Sequence, residues 1–117
     1  LHKIFLSINI ISSLGVFLAF ERLVRKLTKE NLWLYVISVL RSKPLYGYAV
    51  KKAISEKFHF NPSTITVYAV IYKMVREGLI EKFSEGETTY YRVTDKGFML
   101  FEKARKFIRD MEKSIFE

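Results

Sequence analysis

Between Asn61 and Gly78 the chain concentrates side chains suited to holding a polyanion rather than to breaking bonds. Ser63, Thr64 and Thr66 bring small hydroxyls, Tyr68 and Tyr72 bring phenols, and Lys73 brings a charge. Hydroxyls bond to phosphate oxygens and base edges, and a lysine neutralises a phosphate. Upstream, Tyr46, Tyr48, Lys51 and Lys52 repeat that chemistry. The groups that catalysis requires are scarce. There is no cysteine, which excludes disulfides, thiolate nucleophiles and Cys-based zinc sites. The two histidines, His2 and His59, lie far apart, without acidic neighbours at metal-ligand spacing. Neither paired carboxylates in a cleft pattern nor a glycine-rich phosphate loop is present. An enzyme, a metal site and a cofactor are therefore not expected.

Such side chains need rigid elements to aim them, and the apolar spacing supplies helices. Val67, Val70, Ile71, Met74 and Val75 form an inward stripe that leaves Thr66, Ala69, Tyr72, Lys73 and Arg76 outside. This helix is expected over about 63–77. Asn61, with Pro62 as first residue, and Ser63 are equal candidates for its cap, and Gly78 suits the left-handed position that ends it. An earlier helix is expected over about 47–58, with Val50, Ile54 and Phe58 inside. Lys51, Lys52 and Lys57 take its other side, as a phosphate clamp or a solvated face. His59 falls at its end.

Before these, Thr28 is expected to cap a helix with Glu30 in its first turn and Leu32, Trp33, Val36, Ile37, Val39 and Leu40 on its apolar face. Pro44 closes that helix, because the residue before a proline avoids helical geometry. Trp33 reads as core. Residues 79–83 and 88–93 read as strands joined by a turn at 84–87. Thr94 then caps a last helix whose apolar stripe runs through Leu100, Phe101, Ala104, Phe107, Ile108, Met111, Ile115 and Phe116. That stripe calls for the N-terminal helix or a second subunit as its partner, which assigns Phe101, Ala104, Phe107, Ile108, Met111 and Ile115 to dimerisation. The expected fold is mainly α with a small antiparallel β-hairpin. The order of elements is that of a winged helix-turn-helix with extra N-terminal and C-terminal helices.

The chain of 117 residues is half apolar and carries a net charge of +8, which suits a polyanionic partner. The excess is spread as +3 over residues 1–27, +4 over 28–97 and +1 over 98–117, with no basic tail. Those segments are also the expected divisions: an apolar oligomerisation helix, a winged-helix domain and a dimerisation helix. Residues 4–20 contain no charge, and their apolar side chains fall all round a helical wheel. Burial in an oligomer, a membrane segment and a misassigned start are the readings of that stretch.

Four segments in order resemble the PadR-like transcriptional regulators. Leu45-Tyr46-Gly47-Tyr48-Ala49-Val50 resembles the family's "LYGYEI". Thr66-Val67-Tyr68-Ala69-Val70-Ile71-Tyr72-Lys73 is similar to "TLYPALYRL", Arg76-Glu77-Gly78-Leu79-Ile80 to "EEGLI", and Tyr90-Tyr91-Arg92-Val93-Thr94-Asp95-Lys96-Gly97 to "KYYRLTEKG". The resemblance covers about Leu27 to Phe116. It implies a homodimeric repressor with the helix at about 63–77 in the major groove. By position, Tyr46 and Tyr48 would touch phosphates, and Ser63, Thr64, Thr66, Tyr68, Tyr72 and Lys73 would line the groove. The family's proline is Ala69 here. The family's basic wing tip is replaced by Glu85-Gly86-Glu87-Thr88-Thr89, whose acids oppose phosphate contact.

These observations lead to a cytoplasmic, sequence-specific regulator that binds double-stranded DNA as a homodimer. A small aromatic effector is open, since some relatives bind such ligands at the dimer interface. The alternatives are a winged-helix module that binds protein instead of DNA, and a regulator tethered to a membrane through residues 4–20.

Overall fold

The computed structural model describes residues 18–117. Apart from Leu18, Ala19 and Phe20, the expectations for residues 4–20 fall outside the described residues. The first described helix, α1 (Leu18–Leu27), has Arg25 and Lys26 in its last turn, as the helix dipole favours. Thr28 does not cap the next helix as expected. Its hydroxyl donates to the carbonyl of Val24 at 2.6 Å and so closes α1 instead. A single 3-10 turn, Lys29–Asn31, intervenes, and Glu30 pairs back to Lys26 and Arg25.

α2 (Leu32–Leu40) is the centre of the core, burying Leu32, Val36, Ile37, Val39 and Leu40. α3 (Gly47–Phe58) adds Val50 and Ile54, and α4 (Thr64–Arg76) adds Val67, Ile71 and Met74. Each fully buried side chain of this kind stabilises the fold by about 1.5–3 kcal/mol relative to exposure. His59 ends α3 in left-handed geometry, φ 60°, at the helix end where the sequence places it.

The sheet has three strands rather than the two of a hairpin: β1 (Leu45–Tyr46), β2 (Ile80–Glu85) and β3 (Thr88–Val93), antiparallel in the order β1-β3-β2. A two-residue strand is too short to show a period-two pattern, which is why β1 escapes a sequence reading. The turn is also tighter than expected. Glu85 pairs with Thr88, which leaves Gly86 and Glu87 alone at the tip. Gly86 has φ 65° and Glu87 does not have a positive φ, the pattern of a type II′ turn with glycine first. Strand pairing creates two rows across the sheet. Leu45, Tyr91 and Lys82 share the face turned towards α4, and Tyr46, Tyr90 and Phe83 share the opposite face.

α5 (Asp95–Phe116) starts on the Thr94 cap, whose hydroxyl accepts from the Gly97 amide at 3.0 Å. The expected stripe of α5 divides in two. Leu100 and Phe101 pack on the chain's own core, with the Arg41 guanidinium 5.3 Å from the Phe101 ring centre, and Ala104 is half-buried. The start of the stripe therefore has a partner within the chain, contrary to the expectation. Phe107, Ile108, Met111 and Ile115 remain exposed.

Candidate nucleic-acid interface

Both ends of α4 are fixed by local chemistry. Ser63 is its cap: Oγ accepts from the Thr66 amide at 3.1 Å and donates to Thr66 Oγ1 at 2.8 Å. Asn61 does a different job. Its Oδ1 accepts from Lys51 Nζ at 2.9 Å and from Ser55 Oγ at 3.0 Å, which ties the turn to α3. At the other end, Leu79 N donates to Met74 O and Gly78 N to Val75 O, a Schellman closure with Gly78 at φ 77°. The helix is thus rigid before anything touches its outer face.

That outer face presents Thr64, Ile65, Thr66, Ala69, Tyr72, Lys73 and Arg76 to solvent. Ile65 is 84% exposed in the first turn, and the core gives no reason for an isoleucine there. Its methyl groups suit the thymine methyl in a major groove. Ile65 is absent from the groove residues expected from sequence, although its phase marks it. It precedes Val67 by two positions and so lies roughly 200° round the helix from that core residue.

A groove flanks α4 on each side. The wing-side groove, about 370 Å³, is walled by Tyr68, Tyr72 and Arg76 from α4 and by Lys82 and Tyr91 from the sheet, over Ile71 and Val75. No carboxylate lines it. Neither Arg76 nor Lys82 takes part in an ion pair among the described residues. Burial, with a smaller contribution from the Tyr68 phenol, pushes the Tyr91 phenol above its ordinary value, so it remains a proton donor at neutral pH. Tyr68 packs over the start of α3, where a Cβ on Gly47 would come within 2.4 Å of its ring. Gly47 is the space that lets this phenol sit between the two helices.

The second groove, about 390 Å³, lies on the opposite flank. Lys73 and Glu77 face Lys29, Glu30, Trp33 and Leu100 across it. Carboxylates and cations are mixed there.

The structure distributes the residues singled out by sequence. Thr64, Thr66, Tyr68 and Tyr72 are brought together on α4. Ser63 serves as cap, Lys51 is turned to the Asn61 turn, and Lys73 lies in the second groove. Tyr46 meets Tyr90 edge-on at 6.2 Å on the outer face of the sheet, while Tyr48 and Lys52 are exposed on α3. Lys82 and Tyr91 escape the sequence reading. Their signal is the strand alternation, because Lys82 is two residues from buried Ile80 and must share its face.

Among the described residues no helix is long and apolar enough to cross a membrane, and no group of three or more His, Cys, Asp or Glu could hold a metal ion. No curated protein matches the sequence. The profile of the transcriptional regulator PadR-like family matches residues 36–103. A PadR family transcription regulator from Clostridium difficile is 25% identical with a TM-score of 0.66, over 71% of this chain and 92% of that one. A PadR family transcriptional regulator from Eggerthella lenta is 25% identical with a TM-score of 0.68, over 83% of this chain and 88% of that one. A winged-helix DNA-binding protein from STIV shares the fold at 16% identity and a TM-score of 0.62, over 72% of this chain and 92% of that one. The family profile runs from α2 into α5 and spans more than half of the sequence, so the chain belongs to the PadR-like family of transcriptional regulators.

Proposed function

We propose that the chain binds double-stranded DNA sequence-specifically as a cytoplasmic homodimer, with α4 in the major groove, and that it represses transcription by occupying promoter DNA. The observation that carries this reading is the first half of α4. A capped, rigid helix holds Thr64, Ile65, Thr66, Ala69 and Tyr72 clear of the protein. Hydroxyls there reach base edges and phosphates, and methyl groups meet thymine. The net charge of +8 supplies the sequence-independent part of the affinity.

The support for the homodimer is apolar surface that stands open among the described residues. Phe107, Ile108, Met111 and Ile115 on α5, with Leu23 and Leu27 on α1, are exposed. Burying a few of them across two chains contributes roughly 1.5–3 kcal/mol apiece, enough in sum to hold a dimer. A dimer also supplies the two-fold symmetry that paired half-sites require. For a small aromatic effector, the supporting feature is the groove that holds Trp33 beside Lys73, large enough at about 390 Å³ for such a ligand.

The test is a gel shift of duplex DNA carrying the chain's own promoter, repeated across a salt series. Specific retention that weakens with salt supports the proposal. No retention at low salt would sink it and favour the protein-binding module, whose supporting feature is the acidic tip at Glu85 and Glu87. Sedimentation at micromolar concentration tests the dimer. A monomer there would overturn it, and solubility in detergent alone would favour the membrane-tethered reading.

A further inference from the structure

We infer that the wing-side groove is a seat for one DNA backbone phosphate, so that the wing engages DNA through its root, at Lys82 and Tyr91, and not through its tip. The inference rests on the DNA-binding reading above and deepens it. Lys82 and Tyr91 are directly opposed across β2 and β3, on the face turned to α4. Tyr68, Tyr72 and Arg76 close the groove from the other side. A phosphate diester carries one negative charge shared by two oxygens, and this groove is walled by two cationic and three phenolic side chains over an apolar floor. No carboxylate opposes the anion there.

The remaining charges of the wing and of the helix start that follows it point to the same place. Arg92, on the outer face, is engaged by Glu81 at 2.7 Å and lies 4.5 Å from the Phe83 ring centre. Lys96 donates to the Glu77 carbonyl at 2.7 Å. The tip carries Glu85 and Glu87 beside Gly86, which repel a phosphate. Lys82 is thus the wing cation that faces α4 and is unpaired among the described residues. An acidic tip and DNA binding are compatible if the root, not the tip, lies on the backbone.

The experiment is a salt series of duplex binding by the full chain and three variants, on its promoter and on unrelated duplex. Lys82→Ala removes one cation from the seat. For each occupied seat, the slope of log affinity against log salt should fall by about 0.9, or roughly eightfold in affinity at 0.1 M salt, on both duplexes alike. Tyr91→Phe keeps the ring and the charge count, so affinity should fall with the slope unchanged. Glu87→Lys at the tip should change affinity less than Lys82→Ala does, and in the opposite direction. Unfolding midpoints near that of the parent confirm that the variants fold, as expected for an exposed lysine without an ion pair. DNA binding by the parent with an unchanged slope in Lys82→Ala overturns the seat and leaves the DNA-binding reading intact. No DNA binding by the parent fails the underlying reading instead. Inorganic phosphate that binds the parent and not Lys82→Ala, without any change in the DNA slope, would mark a free-anion site and also overturn the seat.

Discussion

The two flanks of α4 are built from one helix yet differ in kind. Towards the wing, Arg76 and Lys82 stand among phenols with no carboxylate. Towards α2 and α5, Lys73 and Lys29 share their groove with Glu30 and Glu77. A cation beside a carboxylate has part of its field cancelled before a phosphate arrives, and a cation among neutral donors does not. If α4 binds DNA as proposed, counting cations along it would therefore overstate the contribution of Lys73 relative to Arg76. Position about the helix axis, three residues apart, decides which flank each one joins.

The largest effect is expected where both flanks are held together. Gly97 lies against the junction of α4 and the sheet, and a Cβ there would meet the Leu79 carbonyl oxygen at 2.1 Å and Val93 Cγ1 at 2.9 Å. The Leu79 backbone cannot give way easily, and the Val93 side chain closes the other side. Gly97→Ala should lower stability by about 3 kcal/mol in urea unfolding, at the upper end of overpacking effects. A loss below about 1 kcal/mol would mean that the junction yields, and that the two flanks are not rigidly coupled.

A direct comparison of the flanks comes next. Arg76→Ala should weaken duplex binding about eightfold at 0.1 M salt and reduce the salt slope by about 0.9 for each phosphate left without its cation. Lys73→Ala should do less than half of that. Glu77→Gln should then make Lys73 count for more, because it leaves the lysine with less cancellation. Equal losses from Arg76→Ala and Lys73→Ala would break the comparison, whatever the fate of the phosphate seat.

The sequence makes some of this plain and hides the rest for physical reasons. α3 and α4 are legible because Val50, Ile54, Val67, Ile71 and Met74 keep a strict helical period, and Gly78 marks a left-handed stop. Thr94 is legible as a cap because an apolar period begins just after it. Thr28 misleads because a threonine after one helix and before another can bond in either direction, and here it bonds back. Leu100 and Phe101 look unpartnered in sequence because their partner, α2, lies some sixty residues earlier. The wing-side groove joins residues of α4 to residues of β2 and β3, and no spacing rule predicts which of them face one another. Lys82 is reachable only by carrying the alternation of β2 outward from Ile80.

A smaller effect is expected at Ile65, which lies on the outer face that the two flanks share. Ile65→Ser removes the exposed methyl groups from the first turn of α4. Discrimination between operator and a variant with one A·T pair changed should fall by about 1 kcal/mol, with the salt slope and the unfolding midpoint unchanged. If discrimination is unaffected at every operator position, the thymine role of Ile65 is wrong and specificity lies nearer the flanks.

The smallest effect separates the flanks by pH. The wing-side groove is lined by phenols, and the other groove has none. Burial chiefly, and then the Tyr68 phenol, raise the Tyr91 phenol above its ordinary value. Its neutral, donating form is therefore favoured in the folded groove. The sign follows from proton counting. A group whose folded pKa is raised adds stability that is present below its unfolded value, near 10, and is lost as pH rises through the folded value. Duplex affinity that depends on the Tyr91 hydroxyl should accordingly be flat from pH 7 to pH 9. The ratio of parent to Tyr91→Phe affinity should stay constant across that window at fixed salt. Above pH 10 the ratio should fall towards one and below, because a phenolate in the groove repels the phosphate that the phenol had bonded. A ratio that already drops between pH 7 and pH 9 would show that Tyr91 ionises too easily to serve as a donor there. The wing flank would then differ from its counterpart in charge alone.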